Sequence, residues 1–171
     1  MHVNNEVGAV NDLSAVSALI RKHAPGALLH SDGVQAFCKL PFSRLPVDLY
    51  SISAHKFHAP KGVGALLVKS NVKFAGGQLG GGQERNLRSG TTNVPGILAL
   101  DTALSLYRDH QAEWLLRMRA CKTRLAEQLL SIPDAVINGP SPEGGAPHIL
   151  NVSFPGVRGE VLVNALSERG I

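Results

Sequence analysis

Cysteine is nearly missing from this sequence: Cys38 and Cys121 are the only two in 171 residues. Two cysteines cannot build a secreted disulfide framework, and neither belongs to a zinc-type pair, so the reducing cytoplasm is the expected compartment. Aromatic residues are sparse as well, at 5%. No apolar run approaches the roughly 18–20 residues that a membrane helix requires. The opening Met1-His-Val-Asn-Asn-Glu6 has neither the basic nor the apolar region of a secretory leader. No membrane is therefore expected as a partner. Charge of one sign is not concentrated either. The net charge is +4, and its only cluster, Arg117, Arg119, Lys122 and Arg124, reads as a solvated helix face, so no nucleic acid is expected. No glycine loop is followed by Lys-Ser/Thr at nucleotide-loop spacing. His55 and His58 lack a third ligand, so no metal is expected.

What is present is enough for a folded core. The chain is 44% hydrophobic, which excludes a wholly disordered chain. Its 18 Gly and 10 Pro are scattered without a period, which excludes collagen and low-complexity repeats. Leu13, Val16, Leu19 and Ile20 recur at helical spacing between Asp12, a plausible N-cap, and Gly26. Short apolar strands are expected at Ala27–His30, Val47–Ser53 and Val63–Lys69, separated by Pro and Gly loops. This alternation predicts an α/β layer with a covered sheet. A polar, Gly-rich stretch, Gly76–Thr92, is too long for a simple turn and of a length that usually carries function.

From Pro95 a long helical pattern runs to about Leu130. Leu100, Leu104, Tyr107, Trp114 or Leu115, Met118, Leu125 and Leu129 keep to one face. So long a helix is expected to bridge two lobes or to bend near Arg108–Gln111. Asn138-Gly-Pro140 reads as a turn, His148–Phe154 as a strand and Glu160–Arg169 as a helix. The chain opens on what reads as the end of a strand and closes at the start of a new element. It is therefore expected to be part of a longer protein.

Two segments carry the chemistry. Ser51-Ile-Ser-Ala-His-Lys56 places a lysine at the carboxyl end of an apolar strand, where α/β folds bind ligands. A desolvated lysine there exposes the nucleophilic amine that Schiff-base chemistry needs. His30-Ser-Asp-Gly-Val-Gln35 places a carboxylate at the end of another strand, with Gln35 one turn on. Taken alone, Lys56 could be a surface lysine and Asp32 an ordinary cap. Facing each other in one crevice, they match pyridoxal 5'-phosphate: the lysine holds the cofactor and the aspartate keeps its ring nitrogen protonated. Ser53, His55 and the Gly-rich loop are candidates for the phosphate, and that loop, with Arg85 and Arg88, suits an anion. Asn4-Asn5-Glu6 supplies amides at a third strand end, although Asn also favours turns. Cys38 and Cys121 have no activating neighbours in the sequence and read as packing residues.

Met1-His-Val-Asn-Asn-Glu-Val-Gly8, His30–Gln35, Ser53-Ala-His-Lys-Phe57, Pro60-Lys-Gly-Val-Gly64, Gly80-Gly-Gly-Gln-Glu-Arg85, Arg88-Ser-Gly-Thr91 and His148–Phe154 occur in an order and spacing that resemble cysteine desulfurases of the NifS/IscS type. These belong to the class V aminotransferase superfamily, and the resemblance covers the whole chain. It implies an α/β fold of type I among pyridoxal-phosphate enzymes. Residues 1–108 would be part of the cofactor-binding large domain, and 109–171 a connecting helix with the start of an incomplete small domain. It implies Lys56 as the Schiff-base lysine, Asp32 on the ring nitrogen, Gln35 on the ring oxygen and Asn5 beside the cofactor and the substrate carboxylate. Ser53 and His55 would bind the phosphate, and Thr91 would reach the phosphate of the partner subunit in a homodimer. The implied reaction turns L-cysteine into L-alanine and leaves sulfur as an enzyme persulfide for iron–sulfur cluster or thio-cofactor assembly. A sulfur-acceptor or scaffold protein would be the partner. Neither Cys38 nor Cys121 matches the family's persulfide cysteine, so the chain alone is expected to be inactive. A selenocysteine lyase and a non-catalytic remnant are the alternatives.

Overall fold

A computed structural model describes residues 1–41 and 45–171. Helix α1 spans Leu13–His23. It starts where the Asp12 carboxylate accepts from the Ser14 and Ala15 amides, at 2.9 and 3.0 Å, and so satisfies donors that a helix start leaves orphaned. Strands β1 (His30–Asp32), β2 (Leu49–Ser53) and β3 (Gly64–Val68) form one sheet in the order β1-β2-β3. β1 runs parallel to β2 and β3 antiparallel to it. A single turn, α2, covers Gln83–Asn86 with left-handed backbone at Glu84, Arg85 and Asn86, and α3 runs unbroken from Val94 to Leu130. β4 (Val136–Asn138) pairs antiparallel with β5 (Asn151–Ser153), and α4 covers Gly159–Ser167.

The core lies between the sheet and the first half of α3. Tyr50 and Ile52 of β2 are buried, as are Phe57, Ala103 and Tyr107. The few aromatic side chains are concentrated here. Phe37, Phe57, Tyr107 and Trp114 form a chain of ring contacts at 5.4, 6.3 and 4.8 Å, geometry that adds to simple area burial. At 37 residues α3 is about 55 Å long. Its length is used for bridging: the first half covers the sheet, and the second reaches the loop between β4 and β5. Past Trp114 the expected apolar face gives way. Leu125 is 48% exposed, while Lys122 and Ala126 are the buried positions.

Two further expectations shift. The strand predicted over Ala27–His30 forms over His30–Asp32 instead. Leu28 faces solvent, and it is small Ser31, not an apolar residue, that fits beneath the sheet. The sheet is covered over β2 but not over β3, where Leu66 and Leu67 are about two-fifths exposed on an edge strand. β4 has no counterpart in the sequence reading, where Asn138-Gly-Pro140 suggested only a turn.

The strands are tied together by buried Asp48. Its carboxylate accepts from Arg21 Nη2 at 2.5 Å, the Leu29 amide at 2.8 Å and Lys69 Nζ at 3.3 Å. The Arg21 hydrogen bond, followed by the Leu29 amide, holds the Asp48 carboxyl down to about 2. The stability this contributes is present above about pH 4 and lost as pH falls towards 2. Asp48→Asn should therefore cost about 2 kcal/mol at neutral pH and flatten the acid limb of the stability curve, read by denaturant titration at several pH values.

Candidate active site

Because β1 and β2 are parallel, their carboxyl ends lie at one edge of the sheet. The register pairs His30 with Leu49, Ser31 with Tyr50 and Asp32 with Ser51. Asp32 thus ends β1 beside the end of β2. Ser53 is the last residue of β2 and leads into a 3-10 turn, Ala54–Phe57. Ala54 and Phe57 are wholly buried. With those two anchored inward, the turn presents the intervening His55 and Lys56 to solvent. His58 closes the turn in the left-handed region, its amide bonded to the Ala54 carbonyl.

The Lys56 amine has no hydrogen bond or ion pair among the described residues. Burial pulls the Lys39 ammonium below its ordinary value; the Cys38 thiol opposes this and the charge on Lys56 adds to it. The two lysines therefore share one electrostatic field. Asp32 Oδ1 accepts from the Val34 amide at 2.8 Å, which satisfies the turn after β1. Burial, and then the Asp32 charge, push the Tyr50 phenol up. Gly33 is required between them: a Cβ there would lie 2.0 Å from the Tyr50 ring. Tyr50 in turn bonds His2 Nδ1 at 2.8 Å, and the His2 amide donates to the Asp32 carbonyl at 2.7 Å. These contacts lay the first residues beside β1 and lead to the turn that carries Asn5. Asn5 is exposed and donates to Glu6 at 2.8 Å. Ser53 precedes the 3-10 turn without capping it.

Gln35 follows β1 in the next turn, and its Oε1 lies 3.3 Å from His148 Nε2. Asn5, Asp32, Gln35, Ser53, His55 and Lys56 are thus carried by three segments at one end of the sheet. Thr91 stands apart. It is exposed, in the Gly-rich loop before α3, and its side chain has no partner among the described residues. That loop is held by the Ser89 hydroxyl, which donates to the Gln78 and Gly81 carbonyls at 3.0 and 2.7 Å. Glu84, Arg85 and Asn86 in it have positive φ, unusual for residues with a side chain.

The sequence reading missed His148, Lys39 and Lys122. Lys122 belongs to the cluster read as a solvated face. It is instead 6% exposed, and its Nζ donates to the Gly144 and Ala146 carbonyls at 2.9 and 3.0 Å. Cys121, read as a packing residue, is exposed, whereas Cys38 is buried as expected. The loop held by Lys122 docks on the first residues: the Ala146 amide donates to the Gly8 carbonyl at 2.8 Å. Val3, Ala36 and Ala146 are buried together there. Gly145 permits the approach, since it has φ +65° and a Cβ would lie 2.6 Å from the Gly8 oxygen.

The profile of the class V aminotransferases matches residues 1–171, and the chain belongs to that family. The family's cysteine desulfurases are pyridoxal-phosphate enzymes, and the architecture is part of the large domain of their type I fold. The chain is 41% identical to the cysteine desulfurase IscS of Edwardsiella ictaluri and 42% identical to that of Escherichia coli K12, each over 175 aligned positions. It aligns over its whole length and spans 43% of either relative. Among solved structures, a NifS-like protein superposes with a TM-score of 0.94 at 42% identity, covering all of this chain and 47% of that one. DndA from Streptomyces lividans superposes at 0.79 with 35% identity, over 98% of this chain and 48% of its own. No helix among the described residues is long and apolar enough to cross a membrane.

Lys122→Met keeps most of the aliphatic stem but leaves two buried carbonyls without a donor. It should lower stability by about 2–3 kcal/mol, read from the denaturant midpoint. Burial, with Lys39 and Lys122 adding, pulls the His148 imidazole down to about 4. The unfolded chain then binds this proton more readily than the folded one. Stability should fall by on the order of 2 kcal/mol as pH drops from about 6.5 to about 4, and His148→Gln should remove that slope.

Proposed function

We propose that this chain is the cofactor-holding part of a pyridoxal-phosphate-dependent cysteine desulfurase. The observation that carries this reading is the shared end of β1 and β2, to which the parallel register brings both Asp32 and the Ser53–Lys56 turn. The residues there fit the cofactor chemically. They offer an unpartnered amine, a carboxylate with one oxygen already fixed by Val34, a hydroxyl, an imidazole and a carboxamide. Bound pyridoxal phosphate supplies an electron sink that stabilises negative charge on the substrate carbon next to its imine. Lys56 carries the cofactor through Nζ and is placed to hold and return a proton. Asp32 holds a proton at the ring nitrogen, and Gln35 bonds the ring oxygen. Ser53 and His55 receive the phosphate. Asn5 sits beside the substrate carboxylate.

The substrate proposed is L-cysteine, which loses its sulfur to leave L-alanine. The sulfur passes to a cysteine thiolate as a persulfide and on to an acceptor protein for iron–sulfur cluster or thio-cofactor assembly, in the cytoplasm. Neither cysteine of this chain suits the thiolate role. Burial raises the Cys38 thiol to about 11, which suppresses its nucleophilic form at neutral pH. Cys121 lies on α3, outside the three segments that carry the candidate site. The chain by itself therefore holds cofactor without turning over cysteine. The assembled enzyme is read as a homodimer in which Thr91 reaches the partner's phosphate. Leu79, fully exposed in the same loop as Arg85, Arg88 and Thr91, favours a contact there.

The test is to mix the purified chain with pyridoxal phosphate, reduce with borohydride, digest and locate the adduct by mass. The adduct should concentrate on Lys56, vanish in Lys56→Ala and weaken at least about tenfold in Asp32→Ala. Adducts scattered over surface lysines would overturn the reading. L-cysteine added to the loaded chain should release neither persulfide nor sulfide; either product would refute the assignment of the thiolate to another segment. Sedimentation of the loaded chain should give a dimer, and a monomer would remove the role given to Thr91.

A further inference from the structure

We infer that His148 is a positioning residue for Gln35, fixing the orientation in which the Gln35 carboxamide meets the cofactor's ring oxygen. This rests on the cofactor reading above and deepens it. A carboxamide has one accepting and one donating end, and only the donating end suits an oxygen that carries negative charge. Left free, Gln35 could turn either way. His148 Nε2 lies 3.3 Å from Gln35 Oε1, and an oxygen there can only accept. The proton of the imidazole must then sit on Nε2, which pins the Gln35 oxygen and leaves its NH2 group to the crevice.

Three further observations fit. His148 Nδ1 is buried without a hydrogen-bond partner among the described residues, as suits a bare lone pair better than a stranded N–H. Burial, with Lys39 and Lys122 adding, keeps the ring neutral at physiological pH, so the single-donor form persists. Lys122 holds the Gly144 and Ala146 carbonyls just before His148, so the ring enters from a loop that is itself restrained. The donor comes from 113 positions away in the chain.

The inference separates from a merely structural role through the cofactor's own titration. With pyridoxal phosphate reduced onto Lys56, the ring hydroxyl of the adduct is titrated by its absorbance. An aligned donor stabilises the ionised oxygen, so losing it should make that hydroxyl about tenfold weaker as an acid. His148→Phe, which cannot donate, should show this loss. His148→Gln, which carries an N–H at nearly the position of Nε2, should restore it. Gln35→Ala should match His148→Phe, and the double variant should go no further. Nitrogen NMR of the chain without cofactor should find His148 in the Nε2–H form, and the Nδ1–H form would overturn the inference. So would an adduct on Lys56 whose titration is unmoved in His148→Phe. If the unsubstituted chain gives no Lys56 adduct, the cofactor reading falls first and takes this inference with it, an outcome distinct from the other two.

Discussion

One carboxylate fixes the geometry on which the site depends. Asp48 stands at the entrance to β2, and its side chain reaches α1 through Arg21, β1 through the Leu29 amide and the end of β3 through Lys69. Its own amide and carbonyl pair with the Leu29 carbonyl and the Lys69 amide. Every element around β2 is thus referred to a single residue. A slip of one residue in a sheet sends each side chain to the opposite face. Were β1 to slip against β2, Asp32 would no longer face Ser51, and the turn that carries Lys56 would end beside a different residue. The register set at one end of β2 determines what meets at the other.

Helix α3 acts as the second brace, through polar side chains more than apolar ones. Gln111 Nε2 donates to the Cys38 and Leu40 carbonyls at 3.3 and 3.1 Å. Lys122 Nζ donates to the Gly144 and Ala146 carbonyls. The two residues are eleven positions apart, about three turns, so they project from one face. Gln111 holds the end of the turn that contains Gln35, and Lys122 holds the loop that leads to His148. The two partners of one hydrogen bond are therefore positioned from the same helix, although they lie far apart in sequence. An amphipathic helix supplies the area to cover the sheet, and these two side chains supply the direction.

Local signals were legible in the sequence and distant pairings were not. Asp12 as a cap, the period of α1, the apolar runs of β2 and β3 and the start of α3 near Pro95 all depend on neighbours a few residues away, and each appears close to where its pattern lies. The candidate cofactor residues stood out in the sequence because Asp32 and Ser53 each end a strand and Lys56 lies in the turn after one. Lys122 was misread because a charge run on a helix is solvated unless another segment offers acceptors, and its carbonyl acceptors belong to a Gly/Pro loop more than twenty residues on. His148 was legible only as the start of a strand run, with nothing to mark it as a neighbour of Gln35. β1 was misplaced because its strand residues are polar and small: the apolar run Ala27–Leu29 suggested the strand, but Ser31 is what the packing accepts. The exposure of β3 likewise depends on what lies beside it, which composition does not encode.

The charges at this end of the sheet bear on the guest proposed for it. Lys56 has no carboxylate partner among the described residues, and Lys39 shares its field while itself pulled below its ordinary value. Lys122 is buried beside His148, where its ammonium donates to two carbonyls and the Glu143 charge favours its charged form. Positive charges set this close repel one another, and an anion bound among them relieves that repulsion. Asp32 is the exception, set at the end of β1 with its orientation fixed by the Val34 amide. This end of the sheet thus carries positive charge on Lys39 and Lys56 and negative charge on Asp32. The cofactor proposed for it, planar with an anionic group on one side and a protonated ring nitrogen on the other, would meet both charges at once, which a simple anion or cation would not.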